Sequence, residues 1–253
     1  MILQTLKTML GKFLRKLFFP SINFMSHKRM KFTQYFAKGA IKTLDVACGG
    51  GAFSIVAAKN GNHVLGVDFD EHNIKVCHQN RAAFNISDAQ AHFQRFNIKA
   101  LHTLNDTYDQ VFCFEILEHM MDDDAIVASI SKITKLGSKL LISVPNLHHK
   151  ALYKEEVSPV ENGEHVRFGY SFEQLETLVG KHGFEVKLKD SCAGMMTQWV
   201  TSFEGICADK IFGGKPPRWF SAALFVGLYP LTYLDGLFKG EDMCIFILAE
   251  KVR

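Results

Sequence analysis

No two cysteines in this 253-residue chain stand in a CxxC pair, and the six that occur, at 48, 77, 113, 192, 207 and 244, follow no regular spacing. That argues against both a zinc ribbon and a disulfide framework, and it suits a reducing compartment. Internal repeats and low-complexity tracts are missing as well. With 47% hydrophobic and 22% charged residues the composition is that of a folded protein, and the length fits one large domain or a domain with an insertion. Long apolar runs are also lacking. The longest without a charge, Trp219 to Leu234, has 16 residues and contains Pro230, short of the about 20 needed to span a bilayer as a helix.

Acidic residues are absent from positions 1–44, which hold nine Lys/Arg, while the rest of the chain carries 20 basic against 26 acidic residues. A basic arm on an acidic body seeks an anionic partner such as a membrane surface, and the body disfavours nucleic acid. Charges interrupt the N-terminus at every turn, so it lacks the apolar core of a secretory signal; an organellar presequence stays open. In "MILQTLKTMLGKFLRKLFF" apolar residues recur at 2, 3, 6, 9, 10, 13, 14, 17 and 18, the spacing of an amphipathic helix ended by Pro20. Such a helix either packs on the domain or lies in a membrane interface. The expected setting is the cytoplasm, with peripheral membrane contact through residues 1–20 and 219–238.

Residues 1–40 read as this basic arm and 41–253 as one α/β domain. Strands are expected at Thr43–Ala47, Val64–Val67, Ala91–Arg95, Val111–Phe114 and Lys139–Val144, with helices at Ala52–Asn60, Glu71–Asn85 and Asp122–Leu136. This alternation predicts βαβ units and a parallel sheet whose ligands sit at the C-terminal strand ends. A helix at Ser171–His182, capped by Ser171, and strands at Glu185–Lys189 and Met243–Glu250 follow. Between those two strands, residues 192–240 are rich in aromatics, Gly and Met; a stretch so long is a helical insertion rather than a loop, serving as substrate lid or membrane contact.

The stretch "LDVACGGGAFS" (44–54) places three glycines between a strand and a helix. The dinucleotide fingerprint does not fit, and no Gly-Lys-Ser/Thr follows to make a phosphate loop. An acid, Asp45, stands before small residues at alternate positions, Ala47, Gly49 and Gly51, which favours a cationic or neutral group over a phosphate. "VLGVDFD" then ends a strand on Asp68, where a carboxylate can accept both hydroxyls of a ribose. Asn97 follows the third strand, where an adenine amino group could be met. "VFCFEILEHMMDD" presents Glu115, Glu118 and His119 at the same mouth.

These motifs, in this order, resemble those of class I S-adenosylmethionine-dependent methyltransferases, over about residues 40–190. Within them the "CGGG" and "EILEH" wording is most similar to the ubiquinone-biosynthesis O-methyltransferases. The resemblance implies a Rossmann-like, seven-stranded, mostly parallel sheet with a final antiparallel strand, and methyl transfer from a sulfonium to a nucleophile. It implies S-adenosyl-L-methionine as cofactor. Gly49 and Gly51 would let the backbone approach, Asp45 would hold the amino-acid end, and Asp68 the ribose hydroxyls. Phe69 would lie against the adenine and Asn97 would meet its edge, while backbone at Cys113–Phe114 would meet the ammonium. Ala47 replaces the usual first glycine, which is tolerable if its φ is ordinary, and Asn97 replaces the usual acid. Gly51→Val is expected to abolish cofactor binding in a chain that still folds.

Transfer to oxygen needs a group that takes the hydroxyl proton. His165 is the first candidate, with His119, Glu118, His148 and His149 behind it. Glu115, Glu118, His119 and His165 could instead form a mixed O/N divalent-cation site that acidifies a hydroxyl; the plainer reading has Glu118 and His119 capping the next helix. The apolar insertion and basic arm favour a lipophilic, membrane-proximal acceptor such as a quinone precursor, lipid or glycolipid. The alternatives are N- or C-methylation of a small soluble metabolite, or a non-catalytic cofactor-binding subunit.

Overall fold

The computed structural model describes residues 2–153 and 156–253, with the side chains of the first helix described from Met9 onward. Seven strands form one sheet: β1 (Lys42–Val46), β2 (His63–Asp68), β3 (Ala91–Arg95), β4 (Tyr108–Phe114), β5 (Thr134–Pro145), β6 (Phe184–Cys192) and β7 (Cys244–Lys251). Their order is β3-β2-β1-β4-β5-β7-β6. Strands β1 to β5 pair in parallel, and β7 runs antiparallel to both β5 and β6. The seven-stranded, mostly parallel sheet expected from the motifs is therefore present. The chain winds outward from β1 to β3 and then returns to β4 on the other side of β1. That reversal opens a crevice at the C-terminal ends of β1 and β4.

Eight α-helices complete the described chain: α1 (Ile2–Leu17), α2 (Phe24–Arg29), α3 (Ala52–Lys59), α4 (Glu71–Ala83), α5 (Asp123–Lys132), α6 (Phe172–Lys181), α7 (Met195–Phe212) and α8 (Arg218–Leu228). Alternate strand residues serve opposite faces of the sheet, as the two-residue period requires. Leu44, Val46, Val111 and Leu140 pack against Ile126 of α5 and Leu175 of α6. Phe112, Phe114, Leu141 and Phe246 turn the other way, toward Ala57 and Ala58 of α3. There Phe36 stacks on Phe112 at 4.1 Å between ring centroids, and Phe32 on Phe246 at 4.4 Å. The segment after α1 thus supplies buried core.

Helix α5 stops at Lys132, four residues before the expected end at Leu136. The Tyr108 amide donates to the Ile133 carbonyl at 2.9 Å, which draws the chain into the sheet, and β-branched Ile133 and Thr134 accept extended backbone readily. Helix α6 is capped by Ser171 as expected, and Gln174 completes a capping box. Between β6 and β7 lie α7, α8 and a 3-10 helix, Tyr229–Leu237. The joined stretch Arg218–Leu237, 20 residues, is long and apolar enough by composition to cross a membrane, although its hydrogen bonding changes from α to 3-10 where Pro230 enters. Trp219, Val226, Tyr233 and Leu237 on it are exposed.

Candidate functional site

The crevice is built on the turn from β1 into α3. Asp45 is buried and accepts from the Ser54 amide at 3.1 Å and the Ser54 hydroxyl at 2.6 Å. Burial raises its pKa to about 7 against the opposing pull of those two hydrogen bonds. Asp45 thereby fastens the start of α3 to the strand, and its Oδ2 is spent inside the fold. The turn is closed by Cys48 donating to Val67 O at 2.9 Å and Gly51 to Cys48 O at 2.8 Å. To make that closure Ala47 adopts φ +54°. The condition under which alanine was expected to be harmless, an ordinary φ, is not met: the residue sits in the left-handed region, at a cost of roughly 1–2 kcal/mol that the surrounding hydrogen bonds offset.

Gly49 and Gly51 both have positive φ, +52° and +75°, but their surroundings differ. A Cβ at Gly49 would meet nothing within 4 Å, so its face is open to a ligand. A Cβ at Gly51 would lie 3.0 Å from Cys77 Sγ and 3.1 Å from the Phe93 ring, so Gly51 serves the packing of α4 and β3. The expectation that Gly51→Val folds normally is corrected on that ground. The variant should lose about 3 kcal/mol or more of stability through overpacking and left-handed strain together, and thermal denaturation followed by circular dichroism would show it. Gly50 has ordinary φ; its carbonyl accepts from Asn80 Nδ2 at 2.8 Å.

Asp68 stands at the tip of β2, nearly buried. Its Oδ2 accepts from Gly49 N at 2.8 Å, and its Oδ1 from Asp70 N at 2.9 Å and Asn73 Nδ2 at 3.2 Å. The carboxylate is held rigidly beside the open glycine. Phe69 next to it is 64% exposed, with the Arg95 guanidinium 5.1 Å from its ring centroid. A large aromatic so exposed at a strand tip is available for stacking. Asn97 is exposed and caps the following 3-10 helix, its Oδ1 accepting from Lys99 N at 3.0 Å. The amide acceptor expected to meet a ligand is therefore engaged, and the side chain's outward resource is its N–H.

At the tip of β4, Phe114 is buried in the aromatic layer, edge-on to Phe53 at 4.6 Å; only its backbone faces the crevice end of the strand. Glu115 follows at φ +53°. One of its oxygens pairs with Arg29 from α2, and the other accepts from Ser143 Oγ at 2.8 Å. The sequence does not single out Arg29, which is one of nine basic residues in positions 1–44. Burial is the largest influence and opposes its charge, but Glu115 together with Cys244 and Cys192 more than offsets it and keeps the guanidinium cationic. Its Nε is buried without a partner among the described residues.

Glu118, His119 and His165 converge, with one ligand atom from each lying within 4.8 Å of the others. The two imidazole centroids are 4.7 Å apart and the rings cross at 80°. Glu118 is fully buried, and among the described residues neither of its oxygens nor His119 Nδ1 has a hydrogen-bond partner. Burial drives the Glu118 pKa well up, and neighbouring Glu115 adds to it. Burial lowers the His165 pKa, reinforced by His119. The loop bearing His165 is pinned by Val166 N donating to Glu118 O at 2.8 Å. The expected four-residue cluster loses Glu115, because the helical turn begins only at Leu117 and the left-handed backbone at 115 turns that carboxylate to Arg29. Helix α5 is capped by Asp122, so the capping role does not fall to Glu118 or His119. His148 lines a pocket of about 370 Å³ with Met195, Trp199 and Glu241, on the flank formed by α7. His149 Nδ1 lies 2.5 Å from Asn146 O.

A buried carboxylate without a partner is expensive. A carboxylate and two imidazoles facing one another are a mixed O/N donor set that suits a divalent cation, Zn²⁺ better than Mg²⁺. The His165 imidazole, its pKa lowered by burial, is a competent base.

A family model described as a methyltransferase domain matches residues 37–186. Among curated proteins, the ubiquinone biosynthesis O-methyltransferase of Idiomarina loihiensis is 38% identical over 114 residues, covering 44% of this chain and 44% of that protein. The match thus spans less than half the length of that relative. Among solved structures, the [4+2]-cyclase SpnF superposes with a TM-score of 0.60 at 17% identity, covering 88% of this chain and 80% of that one. Phosphoethanolamine N-methyltransferase 2 of Haemonchus contortus, solved in complex with S-adenosyl-L-methionine, superposes at 0.58 with 20% identity, covering 88% of this chain and 52% of that one. The likeness of a cyclase and an N-methyltransferase to one chain shows a shared fold, on which different chemistries are grafted.

Proposed function

The chain belongs to the methyltransferase-domain family, and on that premise we propose that it transfers a methyl group from S-adenosyl-L-methionine to a hydroxyl oxygen of a lipophilic, membrane-proximal acceptor. The observation that carries the reading is the pairing, at one end of the sheet, of an open glycine turn locked to Asp68 with the Glu118, His119 and His165 cluster. The fit of the nucleoside rests on the free face of Gly49, the fixed Asp68 carboxylate and the exposed Phe69.

When bound, the cofactor supplies an electrophilic methyl on a sulfonium. Asp68 would accept the ribose hydroxyls, Phe69 would stack on the adenine, and the Asn97 amide N–H would be free to donate to the ring edge. Gly49 and Gly51 backbone borders the chain of the methionine moiety. Asp45 acts on that end at one remove, by fixing α3 through Ser54, and the backbone at Phe114 offers its carbonyl to the ammonium. Arg29, cationic and with its buried Nε unpaired among the described residues, is a partner for the carboxylate. With no cation bound, His165, whose pKa burial lowers, would take the acceptor's proton as the oxygen attacks. Glu118, His119 and His165 would hold a divalent cation, which supplies a Lewis acid that lowers the pKa of a bound hydroxyl. His148 stands further out, where the apolar pocket against Trp199 could receive the body of the acceptor.

The lipophilic acceptor is supported by the exposed apolar side chains of the insertion, among them Trp199, Phe203, Trp219 and Leu237. Residues 219–238 give the insertion its contact with a membrane. The test is transfer of labelled methyl from S-adenosylmethionine into a lipid extract, before and after chelation. Label is expected in the organic phase, with EDTA lowering the rate about tenfold or more and Mg²⁺ or Zn²⁺ restoring it. Label confined to water-soluble product would replace the acceptor class, and a rate indifferent to EDTA would leave the histidines acting without a metal.

A further inference from the structure

Helix α1 is mounted with its apolar side outward. The residues turned toward the domain are Gly11, Arg15 and Phe18, spaced at four and three positions along one helical face. Arg15 is bound to α4 through Asn80 Oδ1 at 3.1 Å and through Gln79. Just beyond the helix, Phe19 meets Phe84 edge-on at 4.7 Å. This attachment leaves Met9, Leu10, Phe13, Leu14 and Leu17 on the free side, each between 41% and 63% exposed. An amphipathic helix that packed on its own domain would bury that stripe and expose the arginine. Here the reverse holds.

We infer that α1 is an interfacial anchor that docks on an anionic lipid bilayer with the domain still attached through Arg15. Charge complementarity selects this occupant. Lys12 and Lys16 border the stripe and are exposed, and no acidic residue occurs anywhere in positions 1–44. Apolar side chains entering the headgroup boundary beside lysines that meet lipid phosphates is the geometry of a monotopic helix, with both lysines on one edge of the stripe and Lys16 6.0 Å from the Phe84 ring centroid. The inference stands apart from the methyl-transfer reading, because the described side chains of α1, from Met9 onward, are not among the residues of the crevice.

The test is co-sedimentation of the full chain with vesicles of phosphatidylglycerol and phosphatidylcholine, and with phosphatidylcholine alone. Three variants accompany the wild type: Leu10→Glu with Phe13→Glu, Lys12→Glu with Lys16→Glu, and Leu136→Glu as a control at a site 71% exposed. Binding to anionic vesicles is expected to fall about tenfold or more in each double variant and to be unchanged in the control. It should also weaken with added salt. Binding of S-adenosylhomocysteine, measured by calorimetry, should be equal in all four proteins, which separates a lost anchor from a lost fold. Three outcomes would overturn the inference: no pelleting of the wild type, undiminished pelleting of the double variants, or a wild-type dimer in light scattering that Leu10→Glu with Phe13→Glu dissolves.

Discussion

Asp68→Ala is expected to weaken binding of S-adenosylhomocysteine by about 100-fold or more while the chain remains folded. The carboxylate has two duties that the substitution removes together. It would accept the two ribose hydroxyls, and hydrogen bonds to a charged group contribute roughly 1.5–3 kcal/mol each. It also holds the Gly49 amide at 2.8 Å, so its loss frees the turn whose open face receives the cofactor. Asp68→Asn separates the two duties. The single amide oxygen can keep only one of the two backbone bonds, from Gly49 or from Asp70, and offers the ribose half the carboxylate's capacity, so about a tenfold loss is expected. Because Asp68 lies at the rim of the core, near-UV circular dichroism should show both variants with native packing. Calorimetric affinity equal to wild type in Asp68→Ala would end the nucleoside-site reading.

Much of this site is legible in the sequence because it is local. Strand, glycine turn and helix follow one another within "LDVACGGGAFS", and Asp68 is marked by its place at the end of an apolar run. What escapes the sequence is set by contacts between distant segments. Arg29 reaches Glu115 across 86 positions, and nothing near residue 29 distinguishes it from its basic neighbours. Ala47 at φ +54° contradicts its own preference, because closing the turn between Val67 and Cys48 overrides it. Glu115 at φ +53° is a second case: spacing alone places it on one face with Glu118 and His119, and a single left-handed residue removes it. Periodicity shows that α1 has an apolar stripe but carries no information about which way the stripe points. The outward mounting depends on Arg15 finding Gln79 and Asn80, on a helix 54 positions beyond the end of α1.

Glu118→Gln should move stability and activity in opposite directions. In the metal-free protein Glu118 is fully buried, and neither oxygen has a hydrogen-bond partner among the described residues, with His119 Nε2 standing 4.0 Å from Oε1. Its folded pKa is raised well above that of a free carboxyl by burial, with Glu115 adding to the shift. The sign follows. The folded chain holds the Glu118 proton more tightly than the unfolded chain, so the group does no harm below the ordinary carboxylate range. As pH rises from there toward the folded pKa, stability is progressively lost. Glutamine has nearly the same shape and no charge to desolvate. In EDTA the variant should match wild type near pH 4 and exceed it by roughly 1–3 kcal/mol at pH 8, seen as a higher melting temperature. A divalent cation should reverse the order, because wild type alone gains the binding energy of the ion. Turnover by the variant should fall about 100-fold or more, since the neutral amide is a poorer oxygen donor to the cation that would acidify the acceptor hydroxyl. A native carboxylate that weakens the metal-free fold and is retained at the crevice is the signature of a residue kept for chemistry. Were the variant less stable than wild type in EDTA at pH 8, or wild type unmoved by Mg²⁺ and Zn²⁺, the cluster would be a structural element and the proton would pass to His165 unaided.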